Sequence, residues 1–143
     1  MIGAATLRGY AGTAYAVSLP DGETIGLRIG EACPQADRVL RRLQAVSLCC
    51  LNAWNPMSRP LPVTRNMAAH QRLHRDLASR GLRALPQLGV PDRPGWRPEP
   101  GFAVLDLGKE KAIRLAETYG QFAVVYYRWG GSAELLLTRH ALR

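Results

Sequence analysis

Two alternating runs, "TAYAVSL" at 13–19 and "TIGLRIG" at 24–30, are joined by "PDGE". Asp-Gly between such runs marks a hairpin, because the turn needs backbone conformations that these two residues tolerate. An early hairpin commits the chain to a sheet, and every later segment must extend that sheet or cover it. Pro34 suits the first turn of a helix, where its missing N–H costs nothing. Val39, Leu40 and Leu43 give that helix an apolar stripe, with Arg38, Arg41 and Arg42 outside. "AVSLCCLNAW" at 45–54 reads as a buried strand. Thr64 suits the N-cap of a helix over 65–80, which Gly81 ends. "LRAL" at 82–85 is a short strand and "GFAVLDL" at 101–107 another. "KEKAIRLAETY" puts Ala112, Leu115, Ala116 and Tyr119 on one helical face before Gly120 stops it. "QFAVVYYRW" at 121–129 and "AELLLT" at 133–138 are the last strands. Between 86 and 100 stand five prolines in fifteen residues. Proline fixes φ and removes a donor, so this segment is expected to be a stiff loop outside the ladder.

The order ββαβαββαββ predicts one α+β domain over 1–143, a mixed sheet of about six strands with about three helices packed on it. A chain of 143 residues buries enough surface for a core without staples. Cys33, Cys49 and Cys50 are an odd count, with two adjacent in a strand, which is no disulfide framework. Adjacent strand residues face opposite ways, so Cys49 and Cys50 are expected to pack separately. No run of about 18 apolar residues is present to span a membrane. The N-terminus lacks the basic start and apolar core of a signal peptide. A cytoplasmic protein is expected.

The net charge is +8, and Lys109 and Lys111 are the only lysines. Arginine forks pair with phosphates bidentately, but an Arg-rich solvated surface has the same composition.

The stretch "NAWNPMSRPLP" at 52–62 sets an indole, amides, a hydroxyl and a guanidinium at one corner between prolines. Chain directions indicate what the corner faces. If strand 45–54 rises, the helix after it descends and strand 82–85 rises in parallel. Strand 101–107 then starts at the top, and the helix over 109–119 returns Gln121 there. Strand 24–29 rises and strand 13–19 falls, which brings Arg28, Tyr10 and Thr13 to the same end. The top edge therefore collects Asn55, Ser58, Arg59, Asn66, Trp96, Glu99 and Gln121. Asn66 shares a helical stripe with His70, Leu73 and Leu77 and faces inward. It either contributes to a site or braces the 55–60 turn. Glu99, fixed between prolines, is a candidate general acid or base if burial raises its pKa. It is otherwise an ion-pair partner for Arg97 or Arg59. Trp96 is either a stacking platform or a loop anchor.

His70 and His74 share a helix face, but Gln71 stands where a zinc protease carries its glutamate base. No metal site is assigned. "GKEKA" at 108–112 falls short of a phosphate loop, and no cofactor is identified. The expected partner is a small polar ligand, planar or anionic, with nucleotide-like molecules among the candidates. Asn55, Asn66 and Gln121 would hydrogen-bond it, Arg59 would hold an anion, Trp96 would stack and Glu99 would act as acid or base. The alternatives are nucleic-acid binding through Arg38, Arg41, Arg42, Arg72, Arg75 and Arg80, or a protein-interaction module without catalysis.

Six segments carry a resemblance: "TAYAVSLPDG", "LRIG", "AWNPMSRPLP" with Asn66 beyond it, "LASRGLRALP", Trp96-x-x-Glu99 and "YGQFAVVYY". In these the chain resembles a family of small bacterial proteins known as domain of unknown function 3293. The resemblance implies no particular activity. It singles out the same polar set at the top edge, and does not include His70 or His74. The family usually has Thr before the Ala-Trp-Asn-Pro run; here that place is Asn52.

Overall fold

The computed structural model describes residues 1–143. Helix α1 (Ala4–Ala11) leads into the expected hairpin, β1 (Thr13–Ser18) and β2 (Thr24–Leu27). Then follow α2 (Pro34–Arg42), β3 (Ser47–Leu51), a single 3₁₀ turn (Pro56–Ser58) and α3 (Val63–Ser79). The rest is β4 (Ala84–Pro91), β5 (Glu99–Leu105), α4 (Lys109–Thr118), β6 (Ala123–Arg128), β7 (Glu134–Leu137) and α5 (Arg139–Leu142). The α+β class holds, with seven strands and five α-helices rather than about six and three. No helix is long and apolar enough to cross a membrane.

The strands form one sheet in the order β2-β1-β4-β5-β3-β6-β7. Every neighbouring pair is antiparallel, which corrects the mixed sheet expected from sequence. The reason is an insertion. β3 and β4 do run parallel across α3, but β5 lies between them, antiparallel to both. The chain directions traced from sequence therefore stand, while the neighbour assignment changes.

The proline-rich segment is the second correction. It extends two strands, and only residues 92–98 between them are loop. Pro86 has a registered partner on β5 alone, Pro91 on β1 alone and Pro100 on β4 alone. Leu105 N–H donates to Arg83 O and Asp92 N–H to Gly12 O, which fixes the phase of β4. In that phase the Pro91 and Pro100 nitrogens point past the ends of the strands beyond them, and Pro86 lies opposite Ser18, the last residue of β1. Proline is tolerated in a sheet on these terms. Helix α3 also starts earlier than expected, at Val63, without a side-chain cap from Thr64. Both Arg65 and Asn66 N–H donate to Pro62 O instead.

The sheet curls. Past β2, Gly30 N–H donates to Ala133 O at 2.8 Å, and Ala133 N–H to Glu31 O at 3.0 Å, so the two edges nearly meet. The concave side holds one core: Val17, Leu27, Leu48, Cys50, Ala103, Leu105, Val125 and Tyr127 with α2 against them. The convex side carries the other: Cys49, Leu51, Phe102, Val104, Val124 and Tyr126 under α3 and α4. Strict alternation feeds both cores from one strand, which is why β3 is buried throughout. Cys49 and Cys50 separate to opposite faces accordingly.

Candidate functional site

At the top of the concave side lies a pocket of about 70 Å³. Its walls come from the end of β3, the corner after it, β4, β5, the start of β6, and the aromatic residues Tyr10 and Tyr15. Two cross-strand rows build the floor. Tyr15 and Glu99 flank Gly89 in one. In the other, Gln87 and Asn52 flank Gly101. A Cβ on Gly101 would meet Leu51 O at 2.5 Å, Asn52 Cβ at 2.7 Å and Gln87 Oε1 at 3.0 Å. Real Cβ atoms do not approach backbone so closely, so only glycine lets these strands close up beneath the polar groups.

The corner is a hydrogen-bonded lattice. Asn55 N–H donates to Asn66 Oδ1 at 2.9 Å, and Asn66 Nδ2 returns a bond to Asn55 Oδ1 at 2.7 Å. Leu61 N–H also donates to Asn55 Oδ1, and Asn66 Nδ2 to Leu61 O. Asn66 is 1% exposed and spends its amide on this brace. Gln121 Nε2 donates to Trp54 O and Tyr119 O, both at 3.1 Å. Met57 N–H donates to Gly120 O, and Pro56 lies so close to Gly120 that a Cβ there would sit 2.8 Å from it. The turn after α4 thus clamps the turn after β3. Within the corner Asn55, Met57 and Ser58 have φ of 44°, 57° and 54°. Three left-handed non-glycine residues in four positions store strain, of order 1–3 kcal/mol each. Asparagine bears it best.

Glu99 is the one charged residue in the lining. Asn55 Nδ2 donates to its Oε1 at 3.5 Å, a long bond, and neither Arg59 nor Arg97 pairs with it. Burial raises its pKa above the ordinary carboxylate value, and the Asn55 bond opposes this only in part. The Tyr10 hydroxyl is pushed up to about 12, first by burial and then by the charge of Glu99. Burial raises Tyr15 as well, and its hydroxyl donates to Tyr10 O at 3.1 Å.

The residues named from sequence divide into three groups. Asn55, Ser58, Glu99 and Gln121 line the pocket. Asn66 stands directly behind it. Arg59 and Trp96 lie outside the lining: Arg59 is exposed, and Trp96 is 61% exposed with the Arg93 guanidinium 5.7 Å over its ring. Sequence reasoning missed Gln87, because "PQLGVP" reads as loop. Tyr10 was brought to the top by direction alone and given no role. His70 and His74 stack on Phe102, with centroids at 4.6 and 5.1 Å, on the convex side. No group of three or more His, Cys, Asp or Glu side chains is arranged to hold a metal.

Fold and site together define an antiparallel-sheet α+β protein with a small polar pocket built around one carboxylate. The model of the protein family of unknown function DUF3293 matches residues 51–124, just over half of the chain, and the chain belongs to that family. No curated protein and no solved structure matches it. The matched span holds Asn55, Asn66, Gln87, Glu99, Gly101 and Gln121; Tyr10 and Tyr15 lie before it.

Proposed function

We propose that the pocket at the top of the sheet binds a small polar ligand and that Glu99 exchanges a proton with it. The observation that carries this reading is a half-buried carboxylate with no cationic partner, held under a strained corner. A structural glutamate is expected to be ion-paired or fully solvated; this one has no ion-pair partner and is only partly exposed, and a raised pKa brings its proton equilibrium toward neutral pH. Asn55 orients the carboxylate, Asn66 and Gln121 hold the corner, and Ser58 offers a hydroxyl at the mouth. Only a small group fits the pocket, so the rest of a larger molecule, a nucleotide included, would lie across the rim.

A thermal-shift screen of small polar metabolites and nucleotides tests this, since a ligand that binds only the native state raises the melting temperature. The reading requires at least one ligand whose shift is lost in Asn55→Ala and Glu99→Ala. It fails if no compound shifts the wild type, or if the shifts survive both substitutions.

A second reading, phosphate-backbone binding, draws on a different surface. A groove between α3 and α4 is lined by Arg80, Lys111 and Arg114 with Leu82 and Leu107, and Arg72 and Arg75 are exposed on α3. Arg80 of the groove pairs with Asp76, and the α2 arginines are engaged as well: Arg42 pairs with Glu23 and Asp21, and Arg41 lies over Trp129. Binding to oligonucleotides that weakens steeply with salt, and is reduced by Lys111→Glu with Arg114→Glu, supports this reading. No binding at low salt dismisses it.

A further inference from the structure

Gln87 is 6% exposed, lines the pocket, and its amide makes no hydrogen bond within the protein. Buried polar side chains are nearly always satisfied by protein or water. The sealed side-chain atoms without a partner are His70 Nδ1 and His140 Nδ1, so the Gln87 amide is open to the pocket. Glycine at 101 keeps that place free, because a Cβ there would press on Gln87 Oε1. The chain has therefore positioned a donor and an acceptor and left both unused, beside a carboxylate that is nearly unused.

The remaining lining gives the sign of the charge that fits. It contains no Lys, Arg or His. Gln121 spends its Nε2 on two carbonyls, leaving its oxygen free. Tyr10, Tyr15 and Trp54 supply aromatic surface. A carboxylate, two amide oxygens and aromatic rings are the groups that hold a nitrogen cation, through charge-assisted hydrogen bonds and ring quadrupoles. An anion would meet Glu99 with nothing to offset it.

Building on the ligand-binding reading above, we infer that the pocket takes a cationic nitrogen group, an amidinium or primary ammonium. Glu99 and Gln87 accept from it together, and Gln87 is the residue that reads its geometry. Binding then requires ionised Glu99 and strengthens as pH rises through the pKa of that carboxyl.

The test follows ¹H–¹⁵N spectra and melting temperature with four small probes: acetamidinium, methylammonium, acetamide and acetate. At pH 7.5 the two cations should shift the Gln87 side-chain amide and the Trp54 indole and raise the melting temperature. Acetamide and acetate should do neither. Glu99→Gln, which keeps the shape, should weaken acetamidinium at least tenfold; Gln87→Met should weaken it less and narrow the difference between acetamidinium and methylammonium. Wild-type spectra away from the pocket show that each variant is folded. If acetate or acetamide binds as well as the cations, or if Glu99→Gln leaves acetamidinium binding intact, the cation assignment is wrong while the pocket remains a ligand site. If none of the four probes moves a pocket resonance, the cation assignment falls, and the wider metabolite screen decides the site itself.

Discussion

Glu99 shows how the site and stability pull apart. Its folded pKa is raised, so the native state holds the proton more tightly than the unfolded chain does. Between the two pKa values the native state binds more protons, and stability falls as pH rises through that window. Above it the full cost of the buried charge remains; below the unfolded value it vanishes. Glu99→Gln should therefore melt higher than wild type at pH 7, with the gain disappearing as pH falls below the ordinary carboxylate range. Melting curves across pH 3–8 check the sign. Asn66 behaves oppositely. Asn66→Ala strands the Asn55 N–H and should cost about 1–3 kcal/mol in denaturant unfolding, whereas Ser58→Ala should change little. The polar corner was legible in sequence because its residue types are conspicuous. Its left-handed backbone was not, because three such residues in a row of four go against their own preferences and persist only through the clamp from Gly120 and Gln121.

At the scale of elements, β5 depends on the glycine in its middle. Gly101→Ala forces its methyl against Leu51 O and Asn52, which should cost about 1–3 kcal/mol of overpacking and displace Gln87. Gly26→Ala, on the exposed face of β2, whose Cβ would meet nothing within 4 Å, is the control for denaturant midpoints. Strand β3 gives a second check. Burial raises Cys49 well above the ordinary thiol value and Cys50 to about 12, so neither offers thiolate in the native state. Reaction of Cys49, which lies outside the pocket lining, with a thiol reagent should proceed no faster than global unfolding. Rapid native labelling of Cys49 would contradict the two-core description. The strands themselves were legible wherever alternation or an apolar run marked them. β4 was not, since its prolines argue against a strand unless one knows where each neighbour ends, and that is a long-range fact.

For the whole molecule, the curl of the sheet brings residues from both termini to one rim. Tyr10 precedes the first strand, Leu135 lies on the last, and both line the pocket. Chain directions were readable because connections alternate the ends of the sheet. The order of strands was not, because nothing local says that β5 inserts between β3 and β4. The near-closure is itself testable: the Gly30 and Ala133 amides should exchange with solvent as slowly as strand interiors, and fast exchange would mean the edges are open.

The central claim is that Glu99 is a poised carboxylate rather than a surface one. The most direct measurement is the ¹³C titration of its side-chain carboxyl, in the free protein and with saturating acetamidinium. The expected midpoint lies above that of an ordinary glutamate and falls when the cation binds. A midpoint at or below the ordinary value, unmoved by the cation, would contradict it.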